Sequence, residues 1–296
     1  MQYVRRGLKK LEMCYKNVGW GAPPGHFYSP INAIDELKAR YARVWPTALP
    51  TEIPAVDMNE QGQLAMLNEL LPFYRESCYL SPAPPADLRF FYPNEFFPIA
   101  DATMLQCMIR RFSPQRVVEV GSGFSSMVML DTNQLYMRNA VQLTFIDPNP
   151  ERLYGLLREA DKAVCRIEPK GVQDVPMSIF EQLKKDDILF IDTSHVSKTA
   201  SDVNYIFFDI LPRLASGVVI HLHDIFWPFE YLPDWILEKR MSYNEIYLLR
   251  AFLMHNSAYR LLLFGHYSIH RYKDWYQKHL PRLADEVGGS VWLQKA

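Results

Sequence analysis

From about residue 100 onward, short apolar runs alternate with amphipathic stretches of helical period, and this pattern most constrains the fold. The runs predicted to be strands are Arg116–Val120, Gln142–Ile146, Ala163–Ile167, Ile188–Ile191 and Val218–Leu222. The stretches predicted to be helices are Ala100–Phe112, Ser125–Met137, Glu151–Ala160, Met177–Lys184 and Ser201–Leu211. Such alternation predicts right-handed βαβ units and a parallel sheet covered by helices on both faces.

The end of the chain departs from this alternation. A helix is predicted near Tyr243–His255, then a strand at Tyr259–Phe264 and a closing strand within 288–293. We find no regular helical pattern between the two strands. The sequence therefore predicts an α/β domain over residues 99–296 that finishes in a hairpin at the sheet edge.

Residues 1–98 form a region rich in Pro, Tyr and Phe, with helices predicted only near Ala33–Tyr41 and Gln61–Arg75. Pro-punctuated aromatic segments without strand periodicity usually wrap around a core or cover a site. We expect this N-terminal extension to cover the acceptor site of the following domain and not to fold alone.

Charge and cysteine content exclude several classes of protein. Lys and Arg number 32 and Asp and Glu 33, so no overall basic field favours nucleic acid or an anionic membrane. No apolar run approaches the ~20 residues of a bilayer span. The start lacks the apolar core of a signal peptide, and the scattered cysteines indicate reduced thiols. The cysteines are Cys14, Cys78, Cys107 and Cys165. These features predict a cytoplasmic protein with a small-molecule partner, and a homo-oligomer is compatible with them.

The loop after the first strand, Gly121-Ser122-Gly123, is the clearest motif. Glycines let the backbone turn sharply and approach a ligand closely. A dinucleotide site requires a third glycine where Ser126 stands, and Glu119 would repel a diphosphate. A nearby carboxylate instead suits a cation such as S-adenosylmethionine, whose amino group Glu119 could bind directly or through water.

Two further acids follow the next strands. Asp147 ends the second strand, where a carboxylate can accept two hydrogen bonds from the ribose diol. Asp174 follows the third strand and could bind the adenine amino group. One such acid alone would often be an ordinary exposed strand-end residue. Acids after three successive strands, with a glycine loop at the first, favour a ligand site at the carboxyl edge of the sheet.

The segments EVGSGFSS, FIDP, VQD and FIDTSH together resemble the class I S-adenosylmethionine-dependent methyltransferases over about residues 113–296. The stretch DILFIDTSHVSKTASDVNYIFFDILPRL is similar to methyltransferase family 24. The resemblance implies a Rossmann-like sheet of order 3-2-1-4-5-7-6 with the last strand antiparallel. It departs at Ser125, where the family has the third glycine of its loop. The cofactor-binding residues that it implies are Glu119, Gly121, Ser122, Gly123, Asp147, Gln173, Asp174 and Asp192.

The chain also resembles O-methyltransferases that use a metal ion. That resemblance implies Asp192 and Asp224 as ligands of Mg²⁺, with Asp192 also catalytic, and His195 as the general base. Magnesium prefers oxygen donors and lowers the pKa of a bound hydroxyl, whose proton an imidazole can accept. Relatives usually carry a third acid or amide beside the second acid, whereas Asp224 is flanked by His223 and Ile225.

The function predicted from the sequence is methylation of a hydroxyl on a small molecule of sugar or natural-product type. His26 and Tyr28, and the loop residues Glu230 and Tyr231, are candidates for the acceptor site or for simple packing. One alternative is a metal-dependent hydroxylase of the cephalosporin hydroxylase type, which extra histidines at 221 and 223 would suit. Another is a non-catalytic module that binds S-adenosylmethionine, against which the intact set of acids and His195 argues.

Overall fold

A computed structural model describes residues 21–296, so Cys14 and the basic start of the chain lie outside the described residues. Within that part of the chain, seven strands form one sheet. The strands are β1 Arg116–Val120, β2 Gln142–Ile146, β3 Cys165–Glu168, β4 Ile188–Ile191, β5 Val219–Leu222, β6 Tyr259–Phe264 and β7 Val291–Lys295. The strand order is β3-β2-β1-β4-β5-β7-β6, and β7 pairs antiparallel with both β5 and β6. The predicted sheet order and the antiparallel last strand are confirmed.

Helices cover both faces of this sheet. Before β1 they are Ile34–Ala39, Tyr41–Val44, Glu60–Arg75 and Ile99–Phe112. Between β1 and β6 they are Phe124–Tyr136, Glu151–Leu156, Ser178–Glu181, Asp202–Tyr205, Pro233–Leu237 and Glu245–Leu253. After β6 they are Gly265–Arg271 and Lys273–His279. No helix in the described part of the chain has the length and apolar character needed to cross a bilayer.

The core lies on both faces of the sheet because side chains alternate along each strand. On β1, Val118 and Val120 pack into one buried cluster, whereas Val117 packs into the other. The strands β1, β4 and β5 are buried along nearly their whole length, which explains why they are largely apolar runs in the sequence. The carboxyl ends of β1 to β5 consequently meet at one edge, where ligands bind in open α/β sheets.

The connection between β6 and β7 corrects the sequence analysis. The two strands pair as a terminal antiparallel hairpin would, but two helices, Gly265–Arg271 and Lys273–His279, lie between them. Their residues mix aromatic, basic and polar side chains without a clear apolar stripe. Tyr267 and Tyr276 are nevertheless buried, so large aromatic side chains supply the packing that an apolar period would normally reveal.

The later part of the N-terminal extension packs against the domain. The helix Glu60–Arg75 buries Leu67 and Leu70 completely. Arg89 binds the carboxylates of Asp131 and Asp161 at 3.0 Å and 2.6 Å, and all three side chains are nearly inaccessible. The division of the chain at residue 98 stays a prediction.

Candidate active site

A cavity of about 480 Å³ opens at the carboxyl edge of the sheet, a size within the range for small-molecule sites. The loops after β1, β2, β3 and β4 form its walls. Four of the predicted cofactor residues line it: Gly121, Asp147, Gln173 and Asp192. The structure thus brings residues from four separate loops to one cleft.

Gly121 is required by the close approach of two loops. Its φ is +80°, and a Cβ atom at this position would lie 1.8 Å from the carbonyl oxygen of Asp192. No L side chain fits there, so a glycine lets the first loop pack directly on the end of β4. This contact places Asp192 beside the glycine loop.

Backbone N–H groups hold the carboxylate of Asp147 in the cavity wall. The N–H of Ser122 donates to its Oδ2 atom at 2.9 Å, and the N–H of Asn149 donates to its Oδ1 atom at 2.7 Å. Each carboxylate oxygen can accept a further hydrogen bond. The predicted binding of a ribose diol is therefore compatible with this orientation.

The remaining predicted cofactor residues do not line the cavity. Ser122 acts through Asp147, Gly123 lies beside the side chain of Arg152, and Asp174 ends a short 3-10 helix. Glu119 is completely buried, and its carboxylate accepts hydrogen bonds from the hydroxyls of Ser125 and Ser126. Their direct contact with a cofactor stays a prediction.

Burial raises the pKa of Glu119 to about 8, even though the hydroxyls of Ser125 and Ser126 oppose the shift. The negative charges of Asp192 and Asp147 contribute to the same rise in pKa. In the absence of a cation, this carboxyl group favours its neutral form at neutral pH. A nearby ammonium group would favour the ionised form instead.

Next to this cavity, three side chains from the ends of β4 and β5 converge. The Nε2 atom of His195 lies 3.4 Å from Oδ1 of Asp192 and 3.3 Å from Oδ2 of Asp224. The backbone φ is +58° at both His195 and Asp224. A left-handed conformation in residues other than glycine costs on the order of 1–3 kcal/mol and is concentrated at functional sites. The predicted catalytic and metal-binding residues are thus neighbours in a strained region.

Negative charge dominates the surroundings of His195. Burial alone would lower its pKa, but the carboxylates of Asp192, Asp224 and Glu245 raise that pKa well above its ordinary value. Burial alone would raise the pKa of Asp224, whereas His223 and His195 lower it. When nothing else neutralises them, these carboxylates therefore favour the protonated form of the imidazole.

Comparison with known proteins agrees with this geometry. Residues 118–225, which contain the glycine loop and the acids of the cleft, match the model of a family described as a methyltransferase domain. An uncharacterised protein of Archaeoglobus fulgidus is 32% identical over 179 residues, which make up 58% of this chain and 78% of that protein. The chain belongs to this methyltransferase family. With its sheet order and glycine loop, it is a class I S-adenosylmethionine-dependent methyltransferase.

Solved structures give a weaker likeness to this methyltransferase. A methyltransferase of Podospora anserina is 12% identical with a TM-score of 0.47, covering 84% of this chain and 100% of its own. The O-methyltransferase TomG of Streptomyces achromogenes is 13% identical with a TM-score of 0.44, covering 88% and 96%. Because both scores lie below 0.5, the fold assignment depends on the strand order itself.

Sequence reasoning missed Glu245 of this methyltransferase. Its Oε2 atom lies 2.8 Å from Nδ1 of His195, although 50 residues separate the two in the chain. Glu245 begins a helix, and an acid there is ordinary enough to give no functional signal.

Sequence reasoning also missed the loop after β4, which lines the cavity with Thr193, Ser194, Lys198, Ala200, Ser201 and Asp202. The direct attachment of that loop to a strand end could have identified it.

The other predicted candidates do not line the cavity, although Nε2 of His223 lies 3.5 Å from Oδ1 of Asp224. His221 and His223 share one face of the sheet, and both are buried; His221 stacks on Phe190 with ring centroids 3.8 Å apart. His26 is exposed, and 79% of Tyr28 is accessible. Tyr231 is fully buried, and Glu230 accepts hydrogen bonds from its neighbours. Packing accounts for these last two residues in the described structure.

Proposed function

We propose that this methyltransferase acts on a hydroxyl of a small molecule, with Asp192, His195 and Asp224 at the reaction centre. The observation that carries the proposal is the convergence of these three side chains at the edge of the cofactor cavity. Ligand atoms of all three lie within 4.8 Å of one another. Asp192 lines the cavity and also belongs to this group of three, so it marks where a bound methyl donor and an acceptor would meet.

The chain's own residues would divide the work. Gly121 and Asp147 would bind S-adenosylmethionine, which supplies a methyl group carried on a sulfonium. Asp192 would lie beside that group, and His195 would accept the proton of the acceptor hydroxyl. A proton acceptor must lie within hydrogen-bond reach of the proton it removes, and Nε2 of His195 faces the space between the two aspartates.

The donor set fits a divalent cation. Two carboxylates and one imidazole converge there, and a third carboxylate, that of Glu245, contacts the same imidazole. A cation held by Asp192 and Asp224 would offset this negative charge and so favour the neutral, proton-accepting form of His195. When bound, it would polarise the acceptor hydroxyl. Oxygen donors suit magnesium, and participation of the imidazole would suit a transition metal.

The first part of the N-terminal extension supports a covered acceptor site. The indole N–H of Trp45 donates to the carbonyl oxygen of Tyr231 at 2.7 Å, and the N–H of Asn32 donates to Oγ of Ser242 at 3.3 Å. Tyr231 and Ser242 belong to the loop region between β5 and the helix Glu245–Leu253. In the same loop region, the ring of Tyr243 lies 5.1 Å from that of His195. Aromatic walls of this kind suit sugars and aromatic natural products. We place the acceptor between this loop and His195.

Labelled S-adenosylmethionine tests the reaction directly. The protein is incubated with a methyl-labelled donor and fractionated small molecules from cell extract, and the labelled product is identified. We expect one labelled methyl ether, because His195 is positioned to remove a hydroxyl proton. Label on a carbon or nitrogen atom, or on macromolecules alone, would contradict the proposal.

A chelator tests the cation. Activity lost on chelation and restored by magnesium would support a metal held by Asp192 and Asp224. In that case, magnesium should no longer restore activity to the variant Asp224→Asn. Unchanged activity would leave His195 as a base that needs no metal. Strict dependence on ferrous iron and oxygen would instead favour the hydroxylase.

A further inference from the structure

Glu245 is a buried carboxylate aimed at the imidazole of His195. It is 1% exposed, and its Oε2 atom lies 2.8 Å from Nδ1 of His195. The hydroxyl of Thr193 donates to the same oxygen at 2.9 Å. Its Oε1 atom has no hydrogen-bond partner among the described residues. Burying a carboxylate that is only partly satisfied is costly, so this arrangement requires a compensating role.

Glu245 and Thr193, together with Asn244, also hold the backbone at His195. The N–H groups of Asn244 and Glu245 donate to the carbonyl oxygen of His195 at 2.9 Å and 3.2 Å. The hydroxyl of Thr193 accepts a hydrogen bond from the N–H of His195 at 3.0 Å. The start of the helix Glu245–Leu253 thus holds both the main chain and the ring of a residue with a positive φ.

The contact with Glu245 determines which nitrogen of the ring faces the reaction centre. A carboxylate only accepts hydrogen bonds when ionised, so Nδ1 of His195 carries the proton in this contact. In the neutral ring, Nε2 then has the free lone pair. That atom is the one directed at Asp192 and Asp224. Without Glu245, the ring could rotate or adopt the other tautomer.

We propose that Glu245 is a positioning residue that fixes the orientation and tautomer of His195. This inference deepens the proposed function and rests on it. Glu245 acts through His195 and not on the acceptor or on the methyl donor. Thr193 supports the same carboxylate through its hydroxyl.

The substitution Glu245→Gln tests this role because it keeps the size of the side chain and removes its charge. We expect kcat to fall about 10- to 100-fold, the range for groups that orient a functional side chain. KM for S-adenosylmethionine should change little. Glu245→Asp, which keeps the charge at a shorter reach, should recover part of the loss. Glu60→Gln is the matched control, since Glu60 also begins a helix and accepts a hydrogen bond, from Tyr267 at 2.6 Å.

A double-mutant cycle separates positioning from a general structural effect. If Glu245 acts through His195, Glu245→Gln should cost nothing further in kcat once His195→Ala is present. Above the pKa of the ring, side-chain nitrogen NMR of the free protein should show the proton of the neutral imidazole on Nδ1 of His195 in the wild type. In Glu245→Gln it should show a mixture of tautomers. A Glu245→Gln loss that persists in His195→Ala, or wild-type kcat in Glu245→Gln, would overturn the inference. Full activity of His195→Ala would instead overturn the proposed function.

Discussion

In the half of the cleft proposed to bind the cofactor, lined by Gly121 and by residues 147–149 and 171–173 and called the cofactor half below, backbone N–H groups hold a single carboxylate in the wall. In the proposed reaction half, formed by Asp192, His195, Asp224 and Glu245, ionisable side chains contact one another. Backbone donors are fixed by the fold. Clustered charges depend on what neutralises them. The cofactor half is therefore preformed, whereas the reaction half is poised to respond to a cation, a proton or a substrate.

Removing the imidazole is the sharpest way to separate the two halves. We expect His195→Ala to lower kcat by a factor of about 10² to 10⁴, the usual range for loss of a general base. Calorimetry should show nearly unchanged affinity for S-adenosylmethionine, because His195 does not line the cofactor cavity. His279→Ala is a suitable control, since that residue packs against Trp275 at the end of a distant helix. Wild-type turnover in His195→Ala would mean that His195 is only structural and that the two halves of the cleft do not differ in this way.

The two halves also differ in how far the sequence predicts them. The glycine loop, Asp147 and Asp192 each follow a buried apolar run directly, so their meeting at one edge follows from parallel strands. The bounds of β1, β2 and β4 were predicted to the residue for the same reason. Asp224 and His195 came instead from the resemblance to metal-dependent O-methyltransferases. Glu245 was not, because its place beside His195 is created by tertiary packing of a later helix.

Local patterns also failed where helices depend on tertiary contacts. The predicted helix Ser201–Leu211 is a short α-helix, Asp202–Tyr205, continued by a π-helical turn and a 3-10 turn at Pro212. Proline interrupts the regular hydrogen-bond pattern, and periodicity alone cannot show how a chain adapts to it. The helices between β6 and β7 were missed because buried tyrosines replace an apolar stripe there. Such features depend on what each segment packs against.

Glu119 tests whether a group of the cofactor half also responds to pH and to a bound cation. Its pKa is raised from 4.5 to about 8 in the folded protein, so between these values the folded state holds a proton that the unfolded state has lost. The stability of the free protein should therefore fall as pH rises through this window, by at most about 1.4 kcal/mol per pH unit. Below pH 4.5 the contribution should be flat.

Glu119→Gln mimics the neutral acid and should remove that dependence. Urea unfolding of both proteins between pH 4 and about 8.5 measures it. We expect the variant to gain stability relative to the wild type as pH rises, and saturating S-adenosylmethionine to narrow the difference if its ammonium group pairs with the ionised carboxylate. If the free energy of unfolding changes with pH in the same way in both proteins, Glu119 has the same protonation state in the folded and the unfolded protein.

The smallest expected effects distinguish the acids of the cofactor half from one another. Asp147→Ala should weaken S-adenosylmethionine binding by about 1–3 kcal/mol, or about 5- to 150-fold in Kd, because hydrogen bonds to a carboxylate are lost. Asp174 does not line the cavity, so Asp174→Ala should weaken binding less than Asp147→Ala does. Both variants should retain the wild-type kcat at saturating cofactor, since neither residue contacts His195. Calorimetry measures the affinity of each variant for S-adenosylmethionine. A titration with NADH tests the competing class of ligand. An equal loss in the two variants would restore Asp174 as an adenine-binding residue and would show that the cofactor half rearranges on binding.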